Sequence, residues 1–327
     1  FNDTILKSSK FISFNKNIDQ IQLKSELTNY LNQSHQKGFL MARLDSISID
    51  SNHYNAHFNL GKTFKWSTLS NKNIDEEILS KIGFRDKLYN NKPFNQKQLG
   101  NLYKKVITHY ENHGYPFASI KLDSISIKNN ELQAQLYVEK NKLFKIDSVL
   151  IKGNATISDQ YIKNYIGIKN GDLYSEQALR KVSNKLKELP FVTEEQRWKI
   201  IFNDEESKLL LFLKKKQASR FDGVLGVLPD DETGKLRLTG DVKLNLINSF
   251  RGGEKISFNW RAIQENTQDL KFDVVYPFLF NSPFGLDYNF KLYKRDTTFI
   301  DVGNKIGVRY LLKGNNYFSV FFHNKSS

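Results

Sequence analysis

The hexapeptide Leu-Asp-Ser-Ile-Ser-Ile occurs twice, at residues 44–49 and 122–127. Each copy follows a Gly-aromatic-x-x-Ala segment, residues 38–42 and 114–118, and two extra residues before the second hexapeptide are absorbed by a loop. Thr63-Phe64-Lys65-Trp66-Ser67 parallels Leu143-Phe144-Lys145-Ile146-Asp147, and Ile82-Gly83 and Leu88-Tyr89 echo Ile166-Gly167 and Leu173-Tyr174. Self-similarity at a near-fixed period confines a chain to tandem copies of one supersecondary unit. Three units of roughly 80 residues fill the chain to about residue 215, the first of them incomplete at its start.

The last unit shows its internal order best. Residues 144–151 read as a strand closed by the turn Gly153-Asn154. Ser158 is placed to cap a short helix through Tyr165 that Gly167 ends, and Ser175 to cap a second helix running to Leu189, where Pro190 stops it. Ala178, Leu179, Val182, Leu186 and Leu189 share one face of that second helix. Residues 197–202 and 208–213 form a hairpin around Asn203-Asp204. The order is strand, helix, helix, strand, strand.

This βααββ order, the Gly-aromatic segment before a strand and the Phe-Lys-Ile-x-x-Val-x-Ile-x-Gly-Asn entry at residues 144–154 resemble the POTRA repeat. Such repeats stand in the periplasm ahead of the barrels of the BamA/TamA superfamily of outer-membrane assembly and secretion proteins. The resemblance implies repeats over residues 1–62, 63–142 and 143–216, with a barrel segment after them.

From about Ala218 the hydrophobic period switches to two. Leu236, Leu238, Val242, Leu244 and Leu246 alternate with Arg237, Thr239, Asp241, Lys243 and Asn245, and Ile256, Phe258 and Trp260 alternate with Ser257, Asn259 and Arg261. Leu270, Phe272, Val274 and Tyr276 follow, and the pattern continues to Phe322, giving about seven strands over residues 217–327. The longest unbroken apolar run, residues 209–213, is far short of the ~20 residues of a membrane helix. Alternating strands of some 9–11 residues do reach across a bilayer. A soluble sandwich alternates in the same way. The membrane reading is favoured by a polar face carrying both charges and glycines, and by Trp260, Tyr276, Tyr288, Tyr293 and Tyr310 as interfacial aromatics. Asn248-Ser249-Phe250-Arg251-Gly252-Gly253-Glu254 also resembles the superfamily's early hairpin. The expected fold class is therefore α+β POTRA repeats followed by the first strands of an antiparallel transmembrane β-barrel. Seven strands leave an edge that lipid cannot satisfy, and Phe1 follows neither a start Met nor a signal peptide, so the chain reads as partial.

Composition removes other classes. With no cysteine there is no disulfide framework or thiolate metal site. Net charge is +14 but uneven, with 34 Lys/Arg against 23 Asp/Glu over residues 1–216 and 15 against 12 beyond. A basic repeat region suits anionic lipid, acidic protein or nucleic acid, or is simply a solvated Lys-rich surface. Residues 56–63, Ala-His-Phe-Asn-Leu-Gly-Lys-Thr, miss the first glycine of a phosphate loop and run into a strand rather than a helix. His109 and His113 lie four apart at a helix end without a third ligand. No nucleophile elbow or paired catalytic carboxylates stand out, so no enzyme activity, cofactor or metal is expected.

The resemblance implies instead a non-covalent role: capture of unfolded outer-membrane β-barrel polypeptides on the exposed edge of a repeat sheet, and insertion through a laterally gating barrel. The edge expected to bind clients is Arg197, Trp198, Lys199, Ile200, Ile201 and Phe202. The gate strand is placed at residues 221–228, with Phe221, Gly223, Leu225, Gly226 and Val227. The glycines there either weaken pairing or relieve crowding. Leu244, Leu246, Phe258, Trp260, Phe272 and Val274 are expected to face lipid. The implied location is the Gram-negative outer membrane, with repeats in the periplasm. Implied partners are client polypeptides, lipid and accessory lipoproteins or a periplasm-spanning protein, with no nucleic acid. The alternatives are a dedicated transporter of the two-partner secretion type, or a scaffold docking other envelope proteins.

Overall fold

The structure is a computed structural model describing residues 9–15, 17–50, 52–203, 206–229, 234, 236–263, 267–295, 299–312 and 316–326. It divides into two compact units, residues 1–143 and 144–327.

The first unit holds two repeats. β1 (Ser9–Asn15), α1 (Gln20–Gln36), β2 (Arg43–Ile49) and β3 (His53–Asn59) form the sheet β1-β3-β2, with Leu23 and Leu27 of α1 closing over Ala56 and Phe58. β4 (Lys65–Asn71), α2 (Glu76–Ile82), α3 (Gln96–Glu111), β5 (Ser119–Lys128) and β6 (Glu131–Glu139) form the sheet β4-β6-β5. Its core joins Trp66, Leu69, Val106 and Leu136, all buried. β4 runs parallel to β6, whereas β1 runs antiparallel to β3. The first repeat, expected to be incomplete at its start, has one helix among its described residues. Each helix reverses the chain once, so one helix fewer brings the first strand back in the opposite direction.

The second unit opens with the last repeat: β7 (Lys145–Ile146), β8 (Ser148–Lys152), α4 (Asp159–Ile166), β9 (Asp172–Leu173), α5 (Glu176–Arg180), α6 (Val182–Lys187), β10 (Val192–Phe202) and β11 (Ser207–Lys215). Its sheet order is β10-β11-β8, with β8 parallel to β11. Ser158 and Ser175 cap their helices by accepting from the backbone N–H of Tyr161 (3.1 Å) and Ala178 (3.3 Å). Gly167 ends α4 at φ 71°, a conformation cheap only for glycine. Two expectations are refined. The strand over residues 144–151 breaks at Asp147, whose carboxylate accepts the Ser207 N–H at 2.7 Å, and β7 pairs with β9 instead. The helix from Ser175 is two short helices meeting at Lys181. Asp204, in the expected hairpin turn, lies outside the described residues.

β12 (Arg220–Pro229), β13 (Leu236–Ile247), β14 (Lys255–Ala262), β15 (Thr267–Tyr276), β16 (Phe284–Arg295), β17 (Phe299–Leu311) and β18 (Tyr317–Ser326) follow. They pair in sequence order as one open antiparallel meander. Their registers carry the period-two alternation across all seven strands, giving a mostly apolar and a mostly polar face, with Asn304 and Asn324 on the first and Val224 and Leu228 on the second. Leu244, Phe258, Phe272 and Phe290 stand side by side, while Asp241–Arg261–Asp269 lie on the other face. Gly240 is obligatory here, because a Cβ would come within 2.2 Å of the Val224 carbonyl on β12.

Candidate functional site

Two strand edges and one sheet face carry the candidate functions. β10 bonds to β11 on one side and has no strand on the other among the described residues. The six expected edge residues do not behave alike. Lys199, Ile200, Ile201 and Phe202 form a regular ladder with residues 207–210, while Arg197 and Trp198 fall in a register shift between Gln196 and Lys199. Such bulges twist an edge and limit indiscriminate pairing. Trp198, Ile200 and Phe202 lean onto the repeat core, Phe202 edge-on to Phe144 at 4.8 Å, and Ile201 points to solvent. The Arg197 guanidinium lies 5.3 Å from the Trp198 ring. The Trp198 indole N–H is buried without an acceptor among the described residues.

β12 is the first strand of the seven and pairs only with β13 among the described residues. Phe221, Leu225 and Val227 stand on the face of Leu244 and are 72%, 61% and 57% exposed. Gly223 and Gly226 do not interrupt the ladder, which is continuous from Arg220 to Pro229. A Cβ at Gly223 would sit 3.2 Å from the Asp241 carbonyl, and one at Gly226 3.2 Å from the Thr239 hydroxyl. The neighbouring strand approaches both glycines closely, through its backbone at Gly223 and through a side chain at Gly226.

On the apolar face, Leu244, Phe258 and Phe272 are direct cross-strand neighbours. Leu246 and Val274 flank Ile256, and Trp260 lies between Val242 and Leu270. The face continues through Leu292, Val302, Ile306 and Val308 to Val320 and Phe322. No second sheet packs on it among the described residues. Ile306, Val308, Val320 and Phe322 are exposed on this face, while Leu244, Phe258 and Phe272 are half-buried among their neighbours. Tyr276, Tyr288 and Tyr310 stand on this face as expected. Tyr293 does not: its register opposite Asp269 and Asp301 puts it on the polar face, one residue out of phase. That polar face is cross-linked by ion pairs, Arg261 to Asp241 at 2.8 Å and Arg309 to Asp287 at 2.7 Å.

The last repeat is joined to the sheet through the turn between β13 and β14. The Ser158 N–H donates to the Arg251 carbonyl (2.9 Å), and the Asn248 amide to the Thr156 carbonyl (2.8 Å). Glu254 is buried, and its carboxylate accepts the N–H groups of Phe250 (2.6 Å) and Gly252 (3.0 Å). The Tyr161 ring covers Gly253 and meets Phe278 edge-on at 5.6 Å. Burial, reinforced by Tyr165 and Glu254, raises the Tyr161 hydroxyl far above the usual tyrosine range, so it stays neutral. Periodicity gives no hint of this junction, because Glu254 reads as one more turn carboxylate. Only its spacing from Asn248 within a glycine-rich turn marks it.

Ala56 lies inside β3, so no phosphate loop forms there. His109 and His113 stack at 4.0 Å, and no cluster of three or more metal-ligating residues occurs among the described residues. No helix among the described residues is long and apolar enough to cross a membrane, which does not bear on strands.

Comparison with known proteins agrees with this architecture. The family model described as POTRA, surface antigen variable number repeat, matches residues 144–194. No curated protein matches the sequence. Among solved structures, BamA from Haemophilus ducreyi lacking POTRA domains 1–3 superposes with a TM-score of 0.52 at 13% identity, over 79% of this chain and 49% of that one. This chain thus spans about half of that BamA structure. CdiB from Acinetobacter baumannii gives a TM-score of 0.43 at 14% identity, over 94% and 64% of the two chains. The first of these likenesses establishes a shared fold: POTRA repeats followed by strands of an outer-membrane barrel.

Proposed function

We propose that this chain, a POTRA-bearing protein of the outer-membrane barrel family, captures unfolded β-barrel polypeptides in the periplasm and passes them into the outer membrane of a Gram-negative cell. In this reading residues 1–62, 63–142 and 143–216 act as three periplasmic repeats and residues 217–327 as the membrane part. Capture is strand addition. An extended client donates and accepts main-chain hydrogen bonds along a free sheet edge, which reads backbone more than side chain and so serves many sequences. Release into lipid uses the outer edge of β12, where a client strand pairs while its apolar side chains join the face of Phe221 and Leu244. No covalent step is involved.

The observation that carries the reading is the second unit itself. One packed body offers a repeat edge, β10, and a sheet whose terminal strand, β12, follows directly from that repeat and borders an uncovered apolar face.

The test is depletion of the full-length protein in its host, followed by quantification of the outer-membrane proteome. Broad loss of β-barrel proteins is expected. Loss of a single exported product with other barrels intact would replace this reading with a dedicated transporter, and an unchanged proteome would remove both.

A further inference from the structure

The last repeat meets the sheet beside the connection between β11 and β12. A cavity of about 390 Å³ opens there. Lys215 lines it from the end of β11, Lys216, Gln217 and Ser219 from the connection to β12, and Ser249 and Arg251 from the turn between β13 and β14. No acidic residue lines it among the described residues. The nearby Lys214 is paired with Glu195, but Lys215, Lys216 and Arg251 have no ion-pair partner among the described residues. Glu254, the one carboxylate of the turn, faces inward on the N–H groups of Phe250 and Gly252. Arg251 is held in place by its own backbone, at φ 66° with its carbonyl bound by Ser158.

The height of the cavity indicates its ligand. Ser219 precedes Phe221, the first residue of the apolar face, by two positions, roughly 7 Å along a strand. Half the difference between a whole bilayer and its hydrocarbon core is about 5–8 Å, so these cations lie at the level of lipid phosphates when the apolar face is in hydrocarbon. Two aromatic side chains stand in turns at the same end of the sheet, Phe250 at 72% and Phe280 at 97% exposure. Bare phenylalanines and unpaired cations at one end of a sheet suit a lipid interface and would be a liability in water.

We infer that this cavity binds the headgroup of an anionic phospholipid in the membrane leaflet facing the repeats, with Lys215, Lys216 and Arg251 on the phosphate and Ser219, Ser249 and Gln217 on its polar substituents. The inference rests on the sheet being membrane-embedded. It gives the junction a second fastening, tying the last repeat to the lipid surface as well as to the sheet.

The test reconstitutes the full chain into bilayers of equal parts phosphatidylcholine and phosphatidylglycerol, extracts it in mild detergent and counts retained lipids by native mass spectrometry. At roughly fivefold per basic residue near an anionic surface, phosphatidylglycerol is expected to be retained over phosphatidylcholine by on the order of a hundredfold. The variant Lys215→Gln/Lys216→Gln/Arg251→Gln should fall near parity. Lys152→Gln/Lys169→Gln/Lys187→Gln, an equal charge change on exposed lysines of the same repeat, should keep the preference. No preference in the full chain, or an equal loss in the control variant, would overturn the site. Loss of the preference on adding inorganic phosphate at constant ionic strength would make it a free-phosphate site and overturn the lipid assignment. Release of the full chain from those bilayers by alkaline carbonate would instead remove the membrane reading beneath it.

Discussion

At the scale of single residues, the junction between the last repeat and the sheet depends on shape and on one buried charge. Gly253 holds φ 72°, and a Cβ there would lie 2.0 Å from the Tyr161 ring. Gly253→Ala should therefore destabilise the second unit by about 2–4 kcal/mol, combining left-handed backbone strain with overpacking. Tyr161→Ala in the same chain should recover the steric part, so a double-mutant cycle by denaturant unfolding will be clearly non-additive. Glu254→Ala leaves two turn N–H groups unpaired and should cost about 2–3 kcal/mol in the same assay. None of this is legible in the local sequence. A glycine and a glutamate in a polar turn look like solvent-exposed residues until α4 is laid across them.

At the scale of elements, a strand edge is useful only if it is free and yet not indiscriminate. β10 has one strand neighbour among the described residues and two register shifts before its regular stretch. Alternate residues of such a strand direct their main-chain groups to β11 or to the open edge. Proline at Ile200 and at Ile201 should thus give different outcomes. One variant removes an outward donor, lowers crosslinking of unfolded clients and keeps its melting temperature. The other breaks the β11 ladder and loses stability. If the stable variant crosslinks clients as well as the parent, the β10 edge is not where they bind. The hairpin and helix caps of this repeat are legible in sequence because they are local: Ser158 and Gly167 act within four residues of themselves. The break of the first strand at Asp147 is not, since it follows from a hydrogen bond to Ser207, sixty positions on.

At the scale of the whole molecule, the sheet face and its solvent decide the class of protein. Leu244, Phe258 and Phe272 form a row of direct neighbours on the uncovered face. A lysine at mid-membrane on a strand costs about 2–4 kcal/mol, so Leu244→Lys, Phe258→Lys and Phe272→Lys together should block membrane assembly, read as loss of carbonate-resistant protein. Normal assembly of all three would turn the lipid-facing assignment over. Tyr293, by contrast, stands among aspartates, and Tyr293→Lys should assemble normally.

Repetition and period were enough to establish the kind of elements, the strand and helix order of the last repeat in outline and, within each strand, which residues share a face. A tandem unit repeats its core positions, and a strand alternates with period two whatever it later packs against. Tyr293 lies five residues from Tyr288 in one strand, so period two alone sets it on the opposite face, but sequence could not say that the first repeat returns its strand antiparallel or that Glu254 is buried. Those depend on register between strands and on contacts between distant segments, such as α4 over the turn after β13. Two strands one residue out of step have the same local pattern and opposite faces, so only the assembled sheet distinguishes them.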